Sequence, residues 1–158
     1  MKKNLILTMC LFATTLMTHA KGFSSEWQDE VSFNITADDN PLITAEYNKH
    51  YVVRKWFHTG AGVGLGGNTD GVFAIPLYLS EKFLINIPSS KGVTPFFDFQ
   101  IGMAFATYSG DSDVKSFLRP NVGAEFSLKK GKAITVALGV TSIGSHGGDV
   151  GLKLGYKF

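Results

Sequence analysis

Four groups of residues in this chain have types and spacings that could do chemistry, and each makes a demand on geometry. His50 and His58, with Glu46 nearby, are the donors of a three-ligand zinc site, which would form only if neighbouring strands brought them together. Histidines on a polar strand face are more often satisfied by hydrogen bonds, so no metal is assigned. Ser142, Ser145 and His146 have the types for nucleophilic hydrolysis of a lipid ester. Ser145 and His146 are adjacent in a glycine-rich stretch, however, with only Asp149 to orient the base, and no catalytic residue is assigned there. Gly60, Gly62 and Gly64 look like a phosphate loop in isolation, but glycines at period two belong to a strand, where they make room for large residues opposite. The fourth group is Glu46, Asp98, Arg119, Glu125 and Lys153, charged residues inside otherwise apolar or glycine-rich stretches. Their natural chemistry is mutual neutralisation.

What positions these residues is a run of alternating strands. In Val150, Leu152, Leu154, Tyr156 and Phe158 every second residue is apolar, while Gly151, Lys153, Gly155 and Lys157 occupy the other face. Seven turn-rich interruptions divide residues 21–158: 38–41, 54–56, 67–71, 88–94, 108–116, 129–131 and 144–149. Eight strands are therefore expected, near 29–37, 42–53, 57–66, 72–87, 95–107, 117–128, 132–143 and 150–158, most of them long enough to cross a bilayer at a tilt. The apolar set includes Phe33, Tyr47, Phe57, Leu77, Phe97, Val122 and Leu138. The polar set includes Ser32, Asn34, Glu46, Asn48, His50, His58, Asp98, Gln100, Arg119, Asn121, Glu125, Thr135 and Lys153. With the polar face inside, the pattern inverts that of a soluble protein.

Two turns test this register. If residues 129–131 form a three-residue turn with Gly131 left-handed, Phe126 pairs with Ile134 and Glu125 with Thr135, so like faces meet. A three-residue turn at 54–56 sets Val53 opposite Phe57 and His50 opposite Gly60. Lys49 and Glu81 fall on the apolar face near the end that carries the termini. Pro76 and Pro120 interrupt strands, and a local bulge is expected at each.

Residues 1–20 read as a cleaved signal peptide: Lys2 and Lys3, a short apolar stretch from Leu5 to Met17, and a small-residue site at Ala20. Its removal takes away the chain's one cysteine, Cys10, and leaves basic and acidic residues balanced, which argues against nucleic-acid binding. The loops at 38–41, 67–71, 108–116 and 144–149 are acidic, and the opposite turns hold Arg54, Lys55, Lys91, Lys129 and Lys130. The functional reading of that asymmetry is lipopolysaccharide phosphates bridged by divalent cations at the acidic rim and phospholipid head groups at the basic one.

In these features the chain resembles the small outer-membrane β-barrels of Gram-negative bacteria, the broad group with OmpX-type and OmpA-type barrels. The likeness rests on residues 56–65 (WFHTGAGVGL), 75–78 (IPLY), 94–102 (TPFFDFQIG) and 151–158 (GLKLGYKF). It implies an all-β, eight-stranded antiparallel up-and-down transmembrane barrel at residues 21–158, inserted by the outer-membrane assembly machinery through Leu152, Leu154, Tyr156 and Phe158. It brings no cofactor and no catalytic residue. Short outer loops set the chain apart from the OmpX type, so a protruding sheet is not expected. The function expected is a non-enzymatic structural or interaction role in the cell envelope. A small ion or solute pore is the alternative, with a lipid-modifying barrel enzyme or a soluble lipocalin-like carrier behind it.

Overall fold

A computed structural model describes residues 27–85, 92–108, 111–144 and 148–158. The expected signal peptide, Ser145 and His146 lie outside them. Eight strands follow in chain order: β1 (Trp27–Thr36), β2 (Ile43–Arg54), β3 (Phe57–Gly67), β4 (Phe73–Leu84), β5 (Val93–Tyr108), β6 (Asp111–Ser127), β7 (Ala133–Ile143) and β8 (Asp149–Lys157). Each pairs antiparallel with the one before it, and β8 pairs with β1 from Glu30↔Lys157 to Thr36↔Gly151, so the sheet closes into a barrel. Closure leaves no sheet edge unpaired around the barrel wall.

Alternation runs through every strand, and its sense is inverted. In β1, Ser32 and Asn34 are buried while Val31, Phe33 and Ile35 are exposed; in β8, Lys153 is buried while Leu152 and Leu154 are exposed. Some thirty large hydrophobic residues form an apolar outer band, far beyond the patch a water-soluble monomer exposes. Such a surface is stable only against an apolar medium. Trp27, Tyr51, Trp56, Phe57, Phe83, Tyr156 and Phe158 gather at the rim that carries the chain termini. Phe57 points outward with them but is covered, its ring 4.9 Å from that of Phe83 and 5.8 Å from that of Trp56.

The turn at Gly131 has the anticipated register, with Phe126↔Ile134 and Glu125↔Thr135 paired around a 3₁₀ turn and Gly131 at φ +76°. Elsewhere the structure departs from the sequence expectation. The β2–β3 turn is two residues, not three: His50 does face Gly60, but Arg54 rather than Val53 faces Phe57, and Val53 is an extra, buried residue in a bulge. Neither Pro76 nor Pro120 makes a bulge. The β3–β4 ladder simply lacks pairs between Val63↔Leu77 and Gly66↔Ala74, and the β6–β7 ladder between Leu118↔Ser142 and Asn121↔Gly139, with the register unchanged across each gap. A missing N–H removes hydrogen bonds from one ladder without forcing an insertion. The segment 108–116 is mostly not a loop, because β5 and β6 remain paired out to Tyr108↔Asp111, and Asp111 and Asp113 lie in β6. This hairpin extends past Ile143, where β7 ends.

The lumen is narrow enough that single methyl groups matter. A Cβ at Gly62 would lie 2.4 Å from the Tyr78 ring, and one at Gly102 would lie 2.6 Å from the Tyr78 Cα. Those two glycines let Tyr78 lie flat across the interior against Phe117, with ring centroids 5.2 Å apart. With Ala104 and Ile143 these rings form a buried apolar cluster inside the barrel. Gly62→Leu should therefore cost about 3 kcal/mol or more through overpacking. Urea titration of the refolded protein, followed by the compact band on unboiled gels, measures this, and the outward change Val63→Leu should leave the midpoint in place.

Candidate functional site

The alternation that puts Ser32 inward also puts Glu30 there, and the outward run Phe73 to Phe83 forces Lys82 inward between Glu81 and Phe83. The lumen thus collects four acids (Glu30, Glu46, Asp98 and Glu125) and four bases (Lys82, Arg119, Lys153 and Lys157), every one of them 9% exposed or less. Their formal charges cancel. An unpaired charge in so enclosed a space would be costly, so the pairing decides whether the barrel is stable.

Five of these charges alternate in sign along a chain of ion pairs that ends on a sixth. Lys157 Nζ lies 2.6 Å from Glu125 Oε2, and the other Glu125 oxygen is 3.2 Å from Lys82 Nζ. Lys82 is 2.8 Å from Glu30 Oε2, whose second oxygen is 3.0 Å from Lys153 Nζ; Lys153 lies 3.8 Å from Asp98. Asp98 also accepts hydrogen bonds from Ser80, Gln100 and Asn121 at 2.7–3.2 Å. The remaining pair is separate: Arg119 holds Glu46, which also accepts from Tyr78 (3.0 Å) and Thr44 (3.1 Å), while Arg119 Nε donates to Thr141 at 2.9 Å. Gln100 joins the two groups, accepting from Arg119 at 3.3 Å and donating to Asp98 at 2.8 Å. Aromatic faces complete the enclosure, Phe96 under Lys82 at 4.7 Å and Phe117 under Arg119 at 4.9 Å.

Glu46, Asp98, Arg119, Glu125 and Lys153 thus all face one lumen, yet Arg119 does not serve all the carboxylates. Its partner is Glu46. Glu125 belongs to Lys82 and Lys157, and Asp98 to Lys153 and neutral donors. Sequence reasoning misses Glu30 and Lys82 and leaves Lys157, though on the polar face of its strand, out of the group; strand parity contains the signal for all three. Leu152, Leu154, Tyr156 and Phe158 are all exposed on the outward face, with the last two rings stacked 6.0 Å apart.

Among the described residues the histidine candidates do not come together as a metal site, and the Ser145–His146 candidate lies outside those residues. His50 and His58 are both buried, but Glu46 is committed to Arg119, and no group of three possible metal ligands occurs among the described residues. His50 Nε2 sits 3.0 Å from Ser80 Oγ, which itself donates to Asp98. The buried hydroxyl stands between base and acid, so the trio ties β2, β4 and β5 together inside the wall.

Removing one partner of the Arg119–Glu46 pair strands a buried charge, so Arg119→Met alone should destabilise the barrel by about 3–5 kcal/mol. Adding Glu46→Gln should recover most of that loss. A double-mutant cycle on urea midpoints reads the coupling; simple additivity would mean that the pair does not neutralise itself.

No protein-family model matches the sequence, and no curated protein sequence matches it either. Solved structures do. Neisserial surface protein A superposes with a TM-score of 0.57 at 8% identity, over 83% of this chain and 92% of that one. The N-terminal β-barrel domain of Pseudomonas aeruginosa OprF gives 0.56 at 14%, over 83% and 97%. The outer membrane enzyme PagL gives 0.56 at 16%, over 82% and 98%. At such identities the likeness is one of fold, and it extends across an enzyme, a surface protein and a domain of a larger protein. The chain has the closed, all-β, eight-stranded antiparallel architecture that the small outer-membrane barrels share.

Proposed function

We propose that this protein is a non-conducting integral barrel of the Gram-negative outer membrane, with a structural or interaction role in the envelope and no catalytic activity. Its route there would be export under the 1–20 signal peptide, followed by insertion by the assembly machinery through Leu152, Leu154, Tyr156 and Phe158. The observation that carries this reading is an apolar band turned outward around a lumen whose eight charges are buried and balanced. A pore needs mobile water and fixed charges able to exchange partners. Here the buried Tyr78 and Phe117 rings pack together in the interior, and Lys82 and Lys157 are held in ion pairs, which favours a plugged lumen.

Membrane orientation follows from the rims. The turns next to the termini carry Arg54, Lys55 and Lys129, and the opposite loops carry Asp38, Asp39 and Asp70, with Asp111 and Asp113 on the extended β5–β6 hairpin and Asp149 at the start of β8. Acidic loops outside would meet lipopolysaccharide through divalent cations, and basic turns inside would lie against phospholipid head groups. Any contact with another envelope component would fall on the β5–β6 hairpin, the part of the sheet that continues beyond its β7 neighbour.

Planar-bilayer recording of the purified barrel tests the central part of this reading. Wild type should give no steady conductance. Lys82→Ala, which leaves Glu30 and Glu125 without their shared cation, should either unfold the barrel or admit small cations. Large, stable, weakly selective channels from wild type would make the pore the correct function.

A further inference from the structure

On the outward face of the barrel, two rows of side chains cross from β4 onto the β5–β6 hairpin. Phe73, Thr107 and Ser112 stand side by side near its tip, and one step nearer the terminus-bearing rim stand Ile75, Phe105 and Val114. Short side chains beside two phenylalanines leave a hollow of about 480 Å³ lined by all six residues. It is open to the outside, Phe73, Phe105 and Val114 being 44%, 46% and 52% exposed. Its size is that of a small-ligand site.

Polarity changes along this hollow. Ile75, Phe105 and Val114 continue the apolar band that surrounds the barrel, and they offer a ligand nothing but van der Waals contact. In the other row the hydroxyls of Thr107 and Ser112 lie 3.0 Å apart, so one donates to the other and the second keeps a free O–H. Asp113 lines the same end, with its side chain 71% exposed. One of its oxygens accepts from the Val114 amide at 2.8 Å and the other lies 3.4 Å from Lys115 Nζ. The charge in the lining is thus negative, and its other polar side chains are neutral. A hollow that is apolar toward the band and hydroxylated beyond it complements an amphiphile whose chain lies along the band and whose head lies at its edge.

We infer that this hollow holds one acyl chain of an outer-leaflet lipid whose head is a hydroxylated or amide-bearing sugar. The chain packs on Ile75, Phe105 and Val114, and the sugar exchanges hydrogen bonds with Thr107, Ser112 and Asp113. A sugar both donates and accepts, as the two hydroxyls do, and its O–H groups suit a carboxylate. A glycerophospholipid brings a phosphate to the same level, where Asp113 meets it with like charge. The inference rests on the barrel residing in the outer membrane with its acidic rim outward, and it gives the envelope contact proposed for the hairpin a definite chemistry.

The full-length mature protein is refolded in detergent with EDTA, so that no divalent cation bridges the acidic loops to phosphate. It is titrated with rough-type lipopolysaccharide or with phosphatidylglycerol and observed by native mass spectrometry. One lipopolysaccharide per barrel should be retained at a concentration where phosphatidylglycerol is not. Val114→Trp, which fills the hollow from an exposed position, should abolish that adduct. Thr107→Val combined with Ser112→Ala should weaken it about fivefold, the worth of one hydrogen bond. Both variants should keep the compact band on unboiled gels. Retention of neither lipid, equal retention of both, or an adduct that survives Val114→Trp overturns the site, and a dimer that Val114→Trp removes gives the hollow to a second copy of the chain. A wild-type chain that forms no compact barrel in lipid vesicles refutes membrane residence itself, a failure distinct from the others.

Discussion

A barrel of eight strands encloses a space only as wide as the side chains that fill it, and here eight of those side chains carry formal charge. Everything else in the structure is arranged around the requirement that these charges satisfy one another. Four acids and four bases are too many to leave to solvent in a lumen without room for it. The pairing is therefore divided by strand: Arg119 on β6 reaches Glu46 on β2, Lys82 on β4 reaches Glu30 on β1 and Glu125 on β6, and the β8 lysines reach β5, β1 and β6. Except for Lys153–Glu30, which joins the paired strands β8 and β1, the bridges link strands that are not neighbours in the sheet, so the network adds cross-struts to a wall held by its ladders.

Small residues make the struts possible. Gly60, Gly62 and Gly64 of β3 lie against His50, Tyr78 and Glu46, and even a methyl group at Gly155 would fall 2.2 Å from Thr135 Oγ1. Large and small residues alternate across the interior so that the charged ends meet near the axis. Pro76 fits the same economy of space. It leaves a short gap in the β3–β4 ladder, and its ring fills the lumen against Gly64, where an added Cβ would come within 2.9 Å of it.

How much of this is legible from the sequence varies with the physics that encodes it. Period-two hydropathy specifies face, so the eight strands, their inverted sense and the inward position of Glu46, Asp98, Arg119, Glu125 and Lys153 can all be read from residue types. Partner choice is not local. That Glu125 belongs to Lys82 and Lys157 rather than to Arg119, six residues away on its own strand face, depends on which strands meet across the barrel. The extent of β5 and β6 is hidden for another reason: beyond the apolar medium both faces of a hairpin are polar, and hydropathy stops reporting the strand at Ser112 and Asp113 although the hydrogen bonds continue. The bulge at Val53 leaves no mark in composition at all. Outside the lumen, Lys49 and Glu81 stand out as exceptions to the apolar face.

Fold alone does not separate an enzyme from a passive barrel, as the likeness to both shows. Residence in a membrane, and with it a sealed and self-neutralised lumen, depends on the sense of the barrel wall, polar inside and apolar outside. Nitroxide labels introduced one at a time at Ile134, Val136, Leu138, Leu152 and Leu154, in the cysteine-free mature chain reconstituted in vesicles, measure that sense directly. All five labels should relax strongly with oxygen dissolved in the bilayer and weakly with a water-soluble nickel chelate, the oxygen effect peaking near the strand centres. Preferential relaxation by the chelate along these strands would place this face in water and contradict the inverted barrel.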